Sequence, residues 1–379
     1  MANEELPITP ALISWARTRA GISLDDASKV FKRIADWEAG KGGPTYPQLE
    51  TLAGAFKVPV AVFFFPTPPD VPDISKTFRT LPDTELKQLP SKIQLLLRKA
   101  KAMQLNLGEL NGGRNPANRL ITRDLSFDAQ TSLEEMARAV REYLNISLEQ
   151  QQHWKDDDTG LKEWRQALIS AGVYVFKDAF RTNEYSGFCL YDETFPIIYV
   201  NNSSAKTRQI FTLFHELAHL LLHTSGIDTL HNEYIPRLAD DAQRMEILCN
   251  RFAAEFLVPE SAFAEAFKGK KPTEATAQEF AGRFHVSREF IFRRFLDRGL
   301  IDEQTYQEAA ARWAEQKQSE GPGGDYYWTK LSYLGREYVG LALREYHQNH
   351  IDEIQLAEYL DTKPRNLPGI EDYFSRGGV

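Results

Sequence analysis

The stretch Phe211-Thr-Leu-Phe-His215-Glu216-Leu-Ala-His219-Leu-Leu-Leu222 sets three ionisable side chains into a segment that is otherwise nearly all apolar. It holds no glycine or proline, and Asn201-Asn-Ser-Ser204 upstream supplies helix-starting residues, so a helix over Lys206–His223 is expected. On such a helix, residues four apart lie about 40° apart around the axis and one turn apart in height. His215 and His219 can therefore offer imidazole nitrogens to a single ion, the spacing a zinc-type site requires. Glu216 is displaced by about 100°, where it reaches a water beside that ion without ligating. It can take the water's proton as the water attacks a carbonyl, then return it to the leaving amine. Histidines on an ordinary surface helix need no apolar surround. Here, burying two imidazoles and a carboxylate is costly unless something binds them.

Two ligands make half a site; a catalytic zinc takes a third protein ligand and leaves one position open. The helical period resumes over Ala242–Leu257, where Glu246, Asn250, Ala253 and Leu257 share a face that is apolar apart from its first two members. A carboxylate there needs a partner, because burying it alone is strongly unfavourable. Glu246 is thus the leading third ligand, with Asp240 and Asp241 next in line, and Asn250 is placed to hold its carboxylate. His223 repeats the i,i+4 spacing from His219 but reads as a helix-end residue. Arg208, His231 and Tyr234 are all candidates to stabilise an oxyanion.

Upstream of the motif helix the period drops to two. Val173-Tyr-Val-Phe176, Gly187-Phe-Cys-Leu-Tyr191 and Pro196-Ile-Ile-Tyr-Val200 read as three short strands. The last, just before the helix, is expected to offer its edge to an extended substrate backbone. Helices are expected over Ser132–Leu144 and Trp164–Ala171, and downstream over 273–284 and 287–298. Gln316–Gly324 is poor in apolar residues and reads as a linker to a helical tail, Tyr326–Tyr346 and Ile351–Leu360. Near the N-terminus the helical period comes in short pieces. Ile8–Thr18 is followed by a helix capped by Ser23, a third carrying Ile34 and Trp37, and a fourth opened by Thr45. Val58–Phe65 is an almost unbroken apolar run, closed by Pro66-Thr-Pro-Pro69. Pro90–Leu110 is a basic amphipathic helix. The expected organisation is an all-α module at 1–69, a helical connector at 70–125, a core domain at 126–315 and a helical extension at 316–379. The expected class is α+β, mostly helical with a small β-sheet.

The chain of 379 residues is 42% hydrophobic and 26% charged, a globular composition with material for more than one core. No apolar run approaches the roughly 18 residues a membrane span needs. The acidic N-terminus lacks the features of a secretory leader, and Cys189 and Cys249 both sit in apolar patterns, so buried thiols in a reducing cytoplasm are expected. A net charge of −8 argues against non-specific nucleic-acid binding by the chain as a whole.

These segments together resemble the ImmA/IrrE family of metallopeptidases. The matching pieces are Gly172-Val173, Pro196-Ile-Ile-Tyr-Val-Asn201, Phe211-Thr-Leu before His-Glu-Leu-Ala-His, and Glu246-Ile-Leu-Cys-Asn-Arg-Phe-Ala-Ala254 running on to Leu257-Val-Pro259. The resemblance implies a zincin-like core with His215, His219 and Glu246 as metal ligands, Glu216 as the catalytic residue, and Zn2+ or else Mn2+ as the ion. Phe214 and Cys249 depart from the family, where a small residue and an alanine are usual. Residues 1–69 resemble the XRE-type helix-turn-helix fused to such proteins, through Trp15-Ala-Arg, Gly21-Ile-Ser-Leu and Trp37-Glu-Ala-Gly40. Residues Gly323–Leu367 resemble the extension such fusions carry. Between Ser23 and Trp37, however, the module is shorter than usual, and the loss falls at the start of the helix whose side chains would read base edges. Lys32 and Arg33 are the candidates for DNA contact there. The module's seven basic residues are matched by seven acidic ones, where a DNA-binding face shows a basic excess. It is expected either to bind DNA or to serve packing, dimerisation or partner binding.

The resemblance implies a cytoplasmic zinc-dependent endopeptidase that cleaves a protein substrate, a transcriptional repressor, in a stress or mobile-element response. The competing reading is a DNA-binding regulator, or an antitoxin-like protein, whose metal site is structural or sensory. An intact Glu216 favours the enzyme, since a structural zinc site has no need of a base. A homo-oligomer fits either reading.

Overall fold

The computed structural model describes residues 4–56, 58–69, 89–127, 131–182, 184–229, 240–315 and 324–377. The described residues fall into two compact units, one running through Lys99 and the other starting at Ala100. Among them, no helix is long and apolar enough to cross a membrane.

The first unit is helical: α1 (Pro10–Arg19), α2 (Leu24–Val30), α3 (Ile34–Glu38) and α4 (Tyr46–Phe56), then a 3-10 turn at Val60–Phe64. Pro10 suits the first turn of α1, where its missing N–H would have had no partner. Ser23 caps α2 by accepting a hydrogen bond from the Asp26 N–H. Leu12, Ile13, Ile34, Trp37, Leu52 and Phe56 build the core of this unit. The helix in the base-reading position of the family resemblance, α3, is only five residues long.

The helix α5 (Ser91–Leu110) contains the boundary between the units. Beyond it come α6 (Leu133–Leu144), opened by a Ser132–Glu135 capping box, and α7 (Asp157–Ser170). α7 starts a full turn before its apolar pattern does, because Asp156 caps it through the Thr159 N–H. Next are β1 (Tyr174–Asp178), β2 (Tyr185–Leu190), β3 (Ile197–Asn201), α8 (Lys206–Leu221), β4 (Ile227–Thr229) and α9 (Asp240–Leu257). The strand β4 lies in what reads as a polar loop.

The sheet order is β1-β3-β2-β4, with β3 parallel to β1 and antiparallel to β2, and β2 antiparallel to β4. This overturns the expectation for Pro196–Val200. As β3, it is paired on both sides and has no edge to offer; the strand next to α8 in sequence is not the outermost in space.

Both faces of the sheet are covered, which is why its strands read as nearly continuous apolar runs. On one face Val175, Cys189, Ile198 and Val200 join the core formed with α7, α8 and α9. On the other, Phe188 stacks on Tyr199 at 5.1 Å, and Tyr338 meets Phe176 edge-on at 5.3 Å. Tyr338 belongs to the tail, where the expected helix Tyr326–Tyr346 is two, α10 (Tyr326–Leu334) and α11 (Arg336–His347), rather than one. Gly335 at φ 87° breaks it, a conformation in which a side chain would be strained. Arg165 of α7 ties sheet and tail together, donating to the carbonyls of Val175, Ser332 and Tyr333. Phe214 packs on Phe256 at 4.0 Å and on Trp164 at 4.8 Å, so the large side chain has a filled place in the core.

Candidate metal centre

Helices α8 and α9 pack side by side and bury the motif completely. His215, Glu216 and His219 are 0% exposed and Glu246 is 1% exposed. The Nε2 atoms of His215 and His219 are 3.2 Å apart. Each lies 3.4 Å from a different oxygen of the Glu246 carboxylate. A tetrahedral zinc with ligands at 2.0–2.1 Å would separate its ligand atoms by about 3.3 Å. The three side chains therefore already stand at the edge lengths of such a site. Among the described residues they are the one group of three or more His, Cys, Asp or Glu side chains close enough to share an ion.

The outward-facing ring nitrogens are held by oxygen atoms. Asn250 presents Oδ1 at 3.1 Å from His215 Nδ1, so the expected carboxylate holder sits on a histidine ring. Thr224 presents its hydroxyl at 3.3 Å from His219 Nδ1. Burial works to raise the Glu246 carboxyl, but the His219 and His215 imidazoles outweigh it and hold it well below the usual range. Burial pushes His215 down, and the Asp228 and Glu246 carboxylates more than reverse this. His219 is likewise raised against burial, by Cys249 and Glu246. The buried carboxylate and the two imidazoles thus stabilise one another's charged forms. A divalent ion would replace the imidazole protons.

Glu216 is different. No N–H or O–H donor reaches either of its carboxylate oxygens, and the group facing it is the weak donor of the Cys189 thiol. Burial, aided by the Asp228 charge, pushes its pKa up to about 7 despite the opposing pull of His215 and His219. A proton acceptor buried this fully and matched to neutral pH marks a functional position more often than a packing one.

Asp228, 3% exposed on β4, went unnoticed in the sequence because its loop shows no period. It accepts hydrogen bonds from Ser186 at 2.8 Å, Thr212 at 3.1 Å and Arg208 at 2.9 and 3.0 Å. The Arg208 guanidinium is thus engaged on Asp228 and Ser186, which counts against it as an oxyanion donor. His231 and Tyr234 lie outside the described residues. Asp241 is exposed and paired with Arg244, and the side chain of Asp240 is not described. His223 ends α8 at φ 55°, with Nε2 3.1 Å from the Thr122 carbonyl. In the first unit Lys32 is exposed, and Arg33 is ion-paired with Glu5 at 2.8 Å.

Comparison with known proteins falls on this same region. Residues 170–296 match the family Peptidase_M78, described as the IrrE N-terminal-like domain. The chain is 33% identical over 99 residues to the radiation response metalloprotease IrrE of Deinococcus radiodurans, covering 26% of this chain and 30% of that one. It is 34% identical over 99 residues to the protein of the same name in Deinococcus deserti, covering 26% and 34%. The chain spans about a third of the length of these curated relatives.

Proposed function

We propose that this chain is a zinc-dependent endopeptidase that cleaves a protein substrate at the centre between α8 and α9. One observation carries the reading: His215, His219 and Glu246 converge beside a fully buried Glu216 that no N–H or O–H group engages. Two neutral imidazoles and one carboxylate at these separations would hold a divalent ion through three protein ligands. Such an ion, when bound, lowers the pKa of water and polarises a carbonyl.

The chain's own residues supply the remainder. Glu216, near neutrality, accepts the proton of the attacking water and delivers it to the leaving nitrogen. Asn250 and Thr224 keep the two rings turned inward. The substrate backbone pairs with β4, the outermost strand on the β2 side among the described residues, in place of the interior β3. Asp228 fastens that strand to Arg208 and Thr212 of α8, so its edge is fixed in height relative to Glu216.

Both Deinococcus relatives are named radiation response metalloproteases, and that likeness supports a stress-response setting for this chain. We take the substrate to be a transcriptional repressor in the cytoplasm, which suits a module resembling a helix-turn-helix at the N-terminus and two free buried thiols. The regulator reading draws less support. The five-residue α3 is short for a groove reader, and Arg17 and Arg33 are committed to Glu38 and Glu5.

The test compares the proteomes of cells carrying the wild type or Glu216→Gln, with metal content measured on both purified chains. One protein should accumulate in the variant. If Glu216→Gln keeps its metal and no cellular protein changes in abundance or length, the peptidase reading is wrong.

A further inference from the structure

We propose that the loop Thr224-Ser225-Gly226, fastened to Cys189 of β2 and to Tyr191 just beyond it, is a positioning device that sets the ring of His219 and thereby the metal affinity of the centre. The inference rests on the metal-binding part of the reading above and not on peptidase activity.

After α8 ends, His223 at φ 55° turns the chain back on itself. Thr224 then donates twice to the His219 carbonyl, through its N–H at 2.9 Å and its hydroxyl at 3.0 Å. With the hydroxyl hydrogen committed there, the same oxygen faces His219 Nδ1 at 3.3 Å as an acceptor. A ring held this way carries its proton on Nδ1 and presents the lone pair of Nε2 to the centre.

The other side of the ring lies against backbone. A Cβ built on Gly226 would fall 2.6 to 2.8 Å from Cδ2, Cγ and Nε2 of His219, closer than any side chain allows. Glycine is required at this position because the imidazole occupies the space. Neither half of the clamp floats. Cys189 N donates to the Gly226 carbonyl at 3.0 Å, and Gly226 N donates back to Cys189 Sγ at 3.3 Å. Tyr191 N donates to Ser225 Oγ at 2.9 Å. His219 is therefore held between a hydroxyl and a backbone wall that Cys189 locks to β2, whereas His215 takes its support from Asn250 of α9.

The test uses the full-length chain and two probes, zinc affinity by chelator competition and the visible spectrum of the cobalt-loaded form. Thr224→Val keeps the shape and removes the acceptor; it should weaken zinc binding about 10- to 100-fold and shift the cobalt bands. Thr224→Ser, which restores the hydroxyl, should return both towards the parent. Gly226→Ala should weaken zinc at least as much as Thr224→Val, and if it fails to fold, the Thr224 pair still decides. A folded Thr224→Val that binds zinc as tightly as the parent, with an unchanged cobalt spectrum, overturns the proposal. A parent that binds no zinc overturns it together with the centre. A parent that holds zinc, loses it in Thr224→Val and cleaves nothing sinks the peptidase reading alone.

Discussion

The two units handle charge in opposite ways. In the first, charged groups find partners of opposite sign: Arg17 with Glu38 at 2.6 Å, Lys29 with Asp26 at 2.6 Å, Arg33 with Glu5 at 2.8 Å. In the second, α8, α9 and β4 bring three carboxylates, Glu216, Asp228 and Glu246, into a volume where none is more than 3% exposed. Of these, Asp228 is answered by strong donors of the protein, Arg208, Ser186 and Thr212. Glu246 lies against two imidazoles, and Glu216 against the weak donor of the Cys189 thiol. A buried carboxylate with only weak or titratable neighbours is unfavourable by several kcal/mol and persists where a ligand or a reaction uses it. Charge paired at the surface carries no such message.

Substitutions in the centre should give the largest effects. Glu246→Ala removes a ligand, so zinc affinity should fall by more than 100-fold, beyond what loss of a supporting residue gives. Zinc content after dialysis against a chelator measures it, and parent-like content would move the third ligand elsewhere. Glu216→Gln should do the reverse: metal retained, cleavage slowed by about 10²- to 10⁴-fold. The two variants together separate holding the ion from moving the proton. A variant that lost both properties would break the contrast drawn between Glu246 and Glu216.

The next effect lies in the core behind the site. Phe214 stacks on Phe256 and meets Trp164 edge-on, the three rings all in mutual contact, with no exposure. Phe214→Ala should destabilise the second unit by about 3–5 kcal/mol in denaturant unfolding. Its neighbour His215 should keep its place, because α8 is also held by the Leu213, Leu217 and Leu220 contacts of the same core.

The difference between these residues explains what the sequence made legible. The helix spacing of His215 and His219 and the polar face of α9 are local patterns, and a period of 3.6 carries them intact into three dimensions. Asn250 was visible as a polar residue on that face, but its partner was not, since Glu246 and His215 are equally within reach. Thr224, Gly226 and Asp228 depend on a three-residue strand and a left-handed turn at His223, neither of which has a period to read. The misassigned edge has the same origin. Strand order is set by how β2 and β4 fold back on β3, and neighbours in sequence need not be neighbours in the sheet.

In the first unit the effects should be smaller. The Arg17–Glu38 pair is bidentate, and both side chains are 13% exposed. Glu38→Ala leaves the guanidinium with the Ile22 carbonyl and should be unfavourable by about 1–3 kcal/mol. Thermal unfolding of the full chain with and without metal tests it. Metal should stabilise the second unit by mass action and leave the Glu38→Ala difference unchanged.

The smallest effect is expected at Lys32 and Arg33, and it bears most directly on the comparison. A face that binds DNA releases counterions, and each phosphate contact adds about 0.9 to the slope of log affinity against log salt. Arg33 already has a carboxylate partner, and forming a phosphate contact would require giving up Glu5. That carboxyl is in turn held below its usual range by the Arg33 hydrogen bond and the Gly43 N–H, so it stays ionised and competes with phosphate down to acidic pH. Lys32 alone gives at most one contact. Titrating the full chain with operator-like and scrambled DNA should show equal affinities, and Lys32→Ala with Arg33→Ala should change the salt slope by less than about 1. Preferential binding of the operator-like duplex that disappears in the double variant would show the first unit breaking its ion pairs for a ligand. The unit would then be a reader whose charges are only provisionally matched, and the contrast with the metal centre would be one of degree.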